Sequence, residues 1–275
     1  MAITEVLWLN NQPYLSKTAG YRRAPHLCRQ RPASMATMVS IKRTPLVAVL
    51  CLLGACAPLK QQTAEIPVTQ GYQAAIDTFD RGDFAAAIET LERLDPCTSL
   101  GHQADILCLR QVVANYELGR IEKTITVANR FSQNYPGHAQ LDQVLYLRGE
   151  SYVKINQLSV DAGANGAFSP VVVQSAYQDF SALLAAFPGS RYAANARLQS
   201  ELLRQQLAAY ELTVAERNLT KGRYVAAVNR ARYLLETYQG TPAVPGALKV
   251  LAKAYDALGL EAPAANTRAI LDANF

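Results

Sequence analysis

Long apolar runs, histidine and strand-forming segments are all scarce in this chain of 275 residues. The apolar run at 46–53 is far shorter than the roughly 20 apolar residues that a helix needs to cross a bilayer. Only three histidines are present, and no Gly-rich phosphate loop, H-E-x-x-H motif or nucleophile elbow occurs. We therefore expect a helical protein that is not an enzyme and that binds no cofactor and no metal.

The short apolar run is informative because of its flanking residues. Lys42 and Arg43 stand before it, and Gly54 and Ala55 separate it from Cys56. A basic segment, a short apolar segment and small residues at the cleavage point make up a bacterial secretory signal. The sequence Leu-Gly-Ala-Cys resembles the lipobox of bacterial lipoproteins, in which the cysteine is acylated after cleavage. We predict lipidation at Cys56; the alternative is an ordinary signal peptide with a cysteine there by chance.

Cleavage at this point would divide the chain into segments of different charge. The predicted segments are an unstructured upstream start extension at 1–37, a signal peptide at 38–55 that starts near Met35 or Met38, a lipidated tether at 56–67 and a repeat domain at 68–275. From Cys56 onward there are 20 basic and 21 acidic residues, so the basic pI near 8.9 comes from the upstream part. The charge pattern therefore does not indicate a nucleic-acid partner.

A recurring turn indicates a repeat array. The sequence Gly82-Asp83-Phe84-Ala85-Ala86-Ala87-Ile88 is similar to segments that begin at Gly119, Gly222 and Gly259, and the spacing from Gly82 to Gly119 equals that from Gly222 to Gly259. Adding the same interval to Gly119 reaches Asn156, a residue that can replace glycine where φ is positive. A period in the mid-thirties with a tight turn between helices is typical of tetratricopeptide repeats. We predict an all-α solenoid of about five helix pairs.

The predicted pairs follow from the turns and from the residues that end helices. The first helices are expected near 69–80, 101–118, 140–155, 191–220 and 244–258, and the second helices near 84–95, 121–134, 172–186, 224–238 and 261–273. A loop rich in Gly, Ala, Asn and Ser is expected between Asn156 and Gln174. The helix from Arg191 to Lys221 is expected to be unusually long.

Cys97 and Cys108 are the cysteines that remain downstream of Cys56. An exported protein meets an oxidising compartment, where two cysteines more often form a disulfide than a metal site. No histidine or carboxylate stands near them at the spacing of a metal site. The sequence leaves two alternatives, a disulfide between them or two unbonded cysteines. A bond requires Cα atoms within about 7 Å, and the sequence does not show that distance.

The matured chain resembles the BamD family, the essential lipoproteins of the outer-membrane β-barrel assembly machinery (the Bam complex). The resemblance rests on residues 82–92, 141–149 and 176–230, and it covers essentially all of the chain after Cys56. It implies a lipid-anchored, palmitate-bearing scaffold on the periplasmic face of the outer membrane that assists folding and insertion of β-barrel proteins. The alternative is another periplasmic repeat lipoprotein that organises envelope or division proteins.

The resemblance also implies partners. They are a BamA-like barrel protein with periplasmic domains, accessory Bam lipoproteins, and the C-terminal strands of unfolded outer-membrane proteins. The family position that contacts the barrel partner falls on Arg230, beside Asn229. An arginine suits a carboxylate there, because its guanidinium offers a rigid pair of donors.

Overall fold

A computed structural model describes residues 68–98, 103–161 and 168–275 of the chain. These ranges contain ten α-helices and no strand. In chain order the helices are α1 Val68–Asp80, α2 Phe84–Leu94, α3 Ala104–Glu117, α4 Ile121–Asn134, α5 Leu141–Asp161, α6 Pro170–Ala186, α7 Ala193–Thr220, α8 Tyr224–Thr237, α9 Val244–Ala257 and α10 Glu261–Asn274. The predicted all-α class is confirmed.

The helices pack in sequence order, as expected for a solenoid. Each helix contacts the next one, and the first helices of neighbouring pairs also meet, α1 with α3, α3 with α5, and α7 with α9. Contacts between near neighbours in the chain are what a stack of helix pairs produces. The structure thus contains the five predicted pairs.

The turn between the two helices of a pair has the same geometry in four of the five pairs. The glycines predicted to form it have positive φ, for example +79° at Gly82 and +70° at Gly259. In each turn the residue after the glycine donates its N–H to the carbonyl five positions earlier, as from Asp83 to Thr78 and from Leu260 to Tyr255. This bond satisfies a carbonyl at the helix end, and the left-handed residue that it needs is best supplied by glycine.

The predicted break at Asn156 is wrong. Asn156 lies inside α5, which continues to Asp161, and α6 already begins at Pro170. No glycine or proline interrupts the chain from 150 to 161, so nothing ends the helix there. Proline at a first helical position costs little, since its missing N–H would have no partner within the helix. The insertion is therefore shorter than predicted and lies between two longer helices.

Small residues let the helices approach closely. Ala87 and Ala227, each five residues after a turn glycine and near the start of a second helix, are fully buried. A Cβ atom at Gly149 would lie 2.8 Å from the ring of Phe180, so α5 and α6 meet at a distance that only glycine permits there. A side chain at this position would force the two helices apart.

A buried ion pair connects the middle of the array. On α5, the Arg148 Nε atom donates to Asp179 Oδ2 on α6 at 2.8 Å, and Nη2 donates to the other carboxylate oxygen. The Nη1 atom of Arg148 donates to Asn129 Oδ1 on α4 at 2.7 Å. Only 14% of the arginine side chain and 8% of the aspartate side chain are exposed. One guanidinium therefore joins three consecutive helices.

The unusually long helix predicted from Arg191 to Lys221 is α7, which begins at Ala193 and is the longest helix in the described ranges. Its 28 residues span about 42 Å. It contacts α6, α8 and α9, so it connects the fourth helix pair to both of its neighbours. The residues described next lie on this helix and on the helices beside it.

Candidate partner-binding site

Arg230 lies on the outer side of α8. The inner side of that helix buries Ala227, Val228, Ala231, Leu234 and Leu235, while Asn229 and Arg230 are exposed. The helical period explains this division, since positions three and four apart share a face. Both residues that the resemblance points to are thus accessible on one helix.

Arg230 is not a freely solvated side chain, because it pairs with Glu211 on α7. The Nη1 atom of Arg230 lies 3.0 Å from Glu211 Oε2 and 3.3 Å from Oε1. The two partners differ in accessibility, with 49% of the arginine side chain exposed against 11% of the glutamate side chain. A nearly buried carboxylate therefore holds a half-exposed guanidinium.

The pairing leaves part of the guanidinium available. Only Nη1 of Arg230 makes a hydrogen bond within the described ranges, whereas Nε and Nη2 make none there. These two nitrogens form the edge that binds a carboxylate with two parallel hydrogen bonds. Arg230 can therefore donate to Glu211 with one nitrogen and donate to a second carboxylate with the other two.

Glu211, the nearly buried member of this ion pair, also lines a groove with a volume of about 380 Å³. Its lining comes from α6, α7 and the end of α8, namely Pro170, Val171, Gln174, Ser175, Gln178, Leu207, Glu211, Tyr233 and Tyr238. Val171 is 74% exposed and Tyr233 is 42% exposed. The accessible surface beside Arg230 is therefore partly apolar.

Tyr238 is one of the residues that line this groove. Burial raises the pKa of the Tyr238 phenol above its usual value, and a hydrogen bond between this phenol and the neighbouring Tyr233 raises it further. The two rings meet edge to face with centroids 6.0 Å apart. Glu211 therefore supplies the charge that lines the groove.

Cys97 and Cys108 lie on the opposite, N-terminal part of the array. The structure joins them in a disulfide with Cα atoms 4.9 Å apart, and both residues are buried. The bond ties the connection after α2 to the first turns of α3. The Nδ2 atom of Asn134 on α4 also donates to the carbonyl of Cys97, which anchors the connection from a second helix.

The predicted signal peptide and tether, with the lipidation residue Cys56, lie outside the described residues. Among the residues that the structure does describe, no helix combines the length and apolar character needed to cross a membrane. The same ranges hold no group of three or more metal-ligating side chains. The candidate site consists of Asn229 and Arg230 on α8, Glu211 on α7, and the groove that Glu211 lines.

Glu211 is the site residue that the sequence reasoning did not assign. It lies within the matched stretch 176–230, but the sequence assigns no role to it. A signal was available, since Glu211 and Arg230 carry opposite charges on the two sides of the Gly222 turn. Residues at similar distances from a turn between antiparallel helices lie next to each other.

Comparisons with known proteins agree on one family. Residues 64–271 match the family described as YfiO, outer membrane lipoprotein. The chain is 31% identical over 237 residues to the outer membrane protein assembly factor BamD of Xylella fastidiosa, covering 83% of this chain and 80% of that protein. It is 29% identical to BamD of Vibrio cholerae, with coverages of 82% and 95%. For BamD of Neisseria meningitidis the identity is 31%, with coverages of 81% and 87%.

Solved structures give a weaker likeness. A tetratricopeptide repeat protein from Parabacteroides merdae is 15% identical with a TM-score of 0.37, covering 73% of this chain and 77% of that one. This likeness adds nothing to the fold described above. The match to the family is different, because it spans most of the chain and relatives at 31% identity are covered over more than two thirds of their length. The chain belongs to the BamD (YfiO) family of outer-membrane lipoproteins.

Proposed function

We propose that this chain is a lipid-anchored scaffold on the periplasmic face of the outer membrane that assists the folding and insertion of β-barrel proteins. Family membership supports this role, since the relatives carry the name outer membrane protein assembly factor. A stack of helix pairs acts by offering extended surfaces to other proteins, which suits a scaffold rather than an enzyme. Acyl chains on Cys56 would hold the scaffold at the membrane.

The proposed docking site for the BamA-like barrel partner is Arg230 with Asn229. One observation carries the proposal: Arg230 is held at the surface by a buried carboxylate and keeps a two-donor edge open. Such an edge fits a carboxylate on the partner. Accessory Bam lipoproteins and the C-terminal strands of unfolded barrel proteins would use other surfaces of the array. The Cys97–Cys108 bond would form after export, in an oxidising compartment.

Arg230→Gln tests the docking site. Glutamine can still donate one hydrogen bond to Glu211 but offers no charged fork, so we expect co-purification with the BamA-like partner from detergent extracts to fall at least tenfold. Arg268→Gln is the matched control, because Arg268 is also half-exposed and pairs across adjacent helices with Asp256 at 2.7 Å. Equal recovery of the partner with both variants would refute the assignment of Arg230.

Depletion of the chain separates the proposed role from the alternative. A barrel-assembly scaffold predicts that many outer-membrane barrels are lost together, as measured by proteomics of the outer-membrane fraction. An organiser of envelope or division proteins predicts altered septation or morphology while barrel levels stay constant. The second result would contradict the proposed function.

A further inference from the structure

Glu211 has an unusual environment for an ionised carboxylate. Its side chain is 11% exposed and lies between α7 and α8. Burial of a charge is unfavourable unless a counter-charge and hydrogen bonds compensate it. Within the described ranges, Arg230 is the only cation that forms an ion pair with Glu211. Arg230 is therefore bound to Glu211 before any partner arrives.

The contact restricts Arg230 in a specific way. Both carboxylate oxygens of Glu211 are near a single nitrogen, Nη1, which fixes the position of the guanidinium while Nε and Nη2 remain open. An unrestrained arginine has many rotamers, and binding must select one of them at an entropic cost. A guanidinium that is already held in place avoids much of that cost.

We propose that Glu211 is a positioning residue, which presents the open edge of Arg230 to a carboxylate of the partner. This proposal rests on the proposed docking function of Arg230. Glu211 then contributes to partner binding through Arg230, although its own side chain is nearly buried. It also specifies the partner's chemistry, since a carboxylate is the group that this edge accepts with two hydrogen bonds.

An experiment distinguishes this positioning role from the opposite one. Glu211 carries the same charge as the expected partner group, so it could instead compete for Arg230. A positioning role predicts that removal of its charge weakens binding, whereas competition predicts that binding becomes tighter. The two roles therefore differ in the sign of one measured change.

The main variant is Glu211→Gln in the full chain, titrated against the detergent-solubilised BamA-like partner. We expect the Kd to rise about 3- to 10-fold, the range that corresponds to immobilising one flexible side chain. Glu211→Asp retains the charge and should recover part of the affinity. An unchanged or lower Kd for Glu211→Gln would overturn the proposal.

Two controls separate positioning from simple loss of stability. Phe180→Leu is a core substitution away from the pair, and it should lower Tm without a comparable rise in Kd; an equal rise would mean that Glu211 acts only through stability. The charge swap Glu211→Arg with Arg230→Glu restores an ion pair inside the protein but presents the wrong charge. It should recover Tm relative to Arg230→Glu alone and still fail to bind.

The variant Arg230→Gln separates two hypotheses, the docking site at Arg230 and the positioning role of Glu211. If Arg230→Gln leaves the Kd unchanged, the docking site itself is wrong. If Arg230→Gln weakens binding and Glu211→Gln does not, the docking site stands and the positioning role is refuted. If both weaken binding and the double variant is no worse than Arg230→Gln, Glu211 acts through Arg230 as proposed.

Discussion

Two arginine–carboxylate pairs in this protein have the same chemistry and different surroundings. Arg148 and Asp179 are both nearly buried, and the guanidinium of Arg148, on α5, uses all three of its nitrogens on neighbours from two other helices, α4 and α6. In the second pair only Glu211 is nearly buried, while Arg230 is half-exposed and uses one nitrogen. The first pair therefore fixes the packing of helices, whereas the second holds a charged group ready at the surface.

The two pairs differ mainly in the exposure of the arginine, 14% for Arg148 and 49% for Arg230, while both carboxylates are nearly buried. A guanidinium enclosed on all sides has no donor left for another molecule. One that projects beyond its carboxylate keeps such donors. Loss of the first pair should therefore act mainly on stability, and loss of the second mainly on binding.

The largest expected effect is on the enclosed pair. Arg148→Met leaves Asp179 buried without its counter-charge, so the free energy of unfolding should fall by about 3–5 kcal/mol. Urea denaturation followed by circular dichroism measures this. The double variant with Asp179→Leu should be less destabilised than Arg148→Met alone, because no unpaired charge remains in the interior. A double variant that is worse would contradict this account.

A smaller effect is expected for the surface pair. Arg230→Gln should lower the free energy of unfolding by about 1–2 kcal/mol, since Glu211 loses its cation but keeps one hydrogen bond and some access to water. Arg268→Gln, in which both partners are half-exposed, should change it by less than about 0.5 kcal/mol. The order Arg148, Arg230, Arg268 in one denaturation series checks the comparison. If Arg230→Gln lowers the free energy of unfolding as much as Arg148→Met does, the proposed difference between the two pairs is wrong.

A further effect, smaller than that at Arg230, concerns Glu150, a carboxylate on α5 that forms no ion pair with an arginine among the described residues. Its Oε1 atom is buried and makes no hydrogen bond among the described residues, and burial raises the pKa of Glu150, while Lys154 lowers it in part. A raised pKa in the folded state means that the protonated form is favoured by folding. This contribution is present at low pH and is lost as pH rises through the folded pKa.

Glu150→Gln should therefore stabilise the protein slightly at pH 7, by less than about 1 kcal/mol. The difference from the parent chain should shrink as the pH falls below the range in which a glutamate titrates. Thermal unfolding of both proteins between pH 4 and pH 7 measures it. A variant that is less stable than its parent at pH 7 would show that the Glu150 carboxylate is well solvated or paired.

Much of the architecture was predictable because turns are local. The glycines at 82, 119, 222 and 259 occupy left-handed positions in which other residues are strained, so their spacing indicated the pairs. The length of α7 was predictable for a related reason, since no glycine or proline occurs from 193 to 220. Asn156 shows the limit of this reasoning, because asparagine permits a turn without requiring one, and the helix continued through it.

The sequence by itself determined the helical class, the pairing of helices, the family and the residue at which a partner is expected. These follow from local preferences and from matches that extend along the chain. Only the tertiary structure showed that Arg230 is held by Glu211 and that a groove lies beside them. Ion pairs and grooves depend on which side chains neighbouring helices bring within a few ångströms, and a linear pattern does not specify those distances.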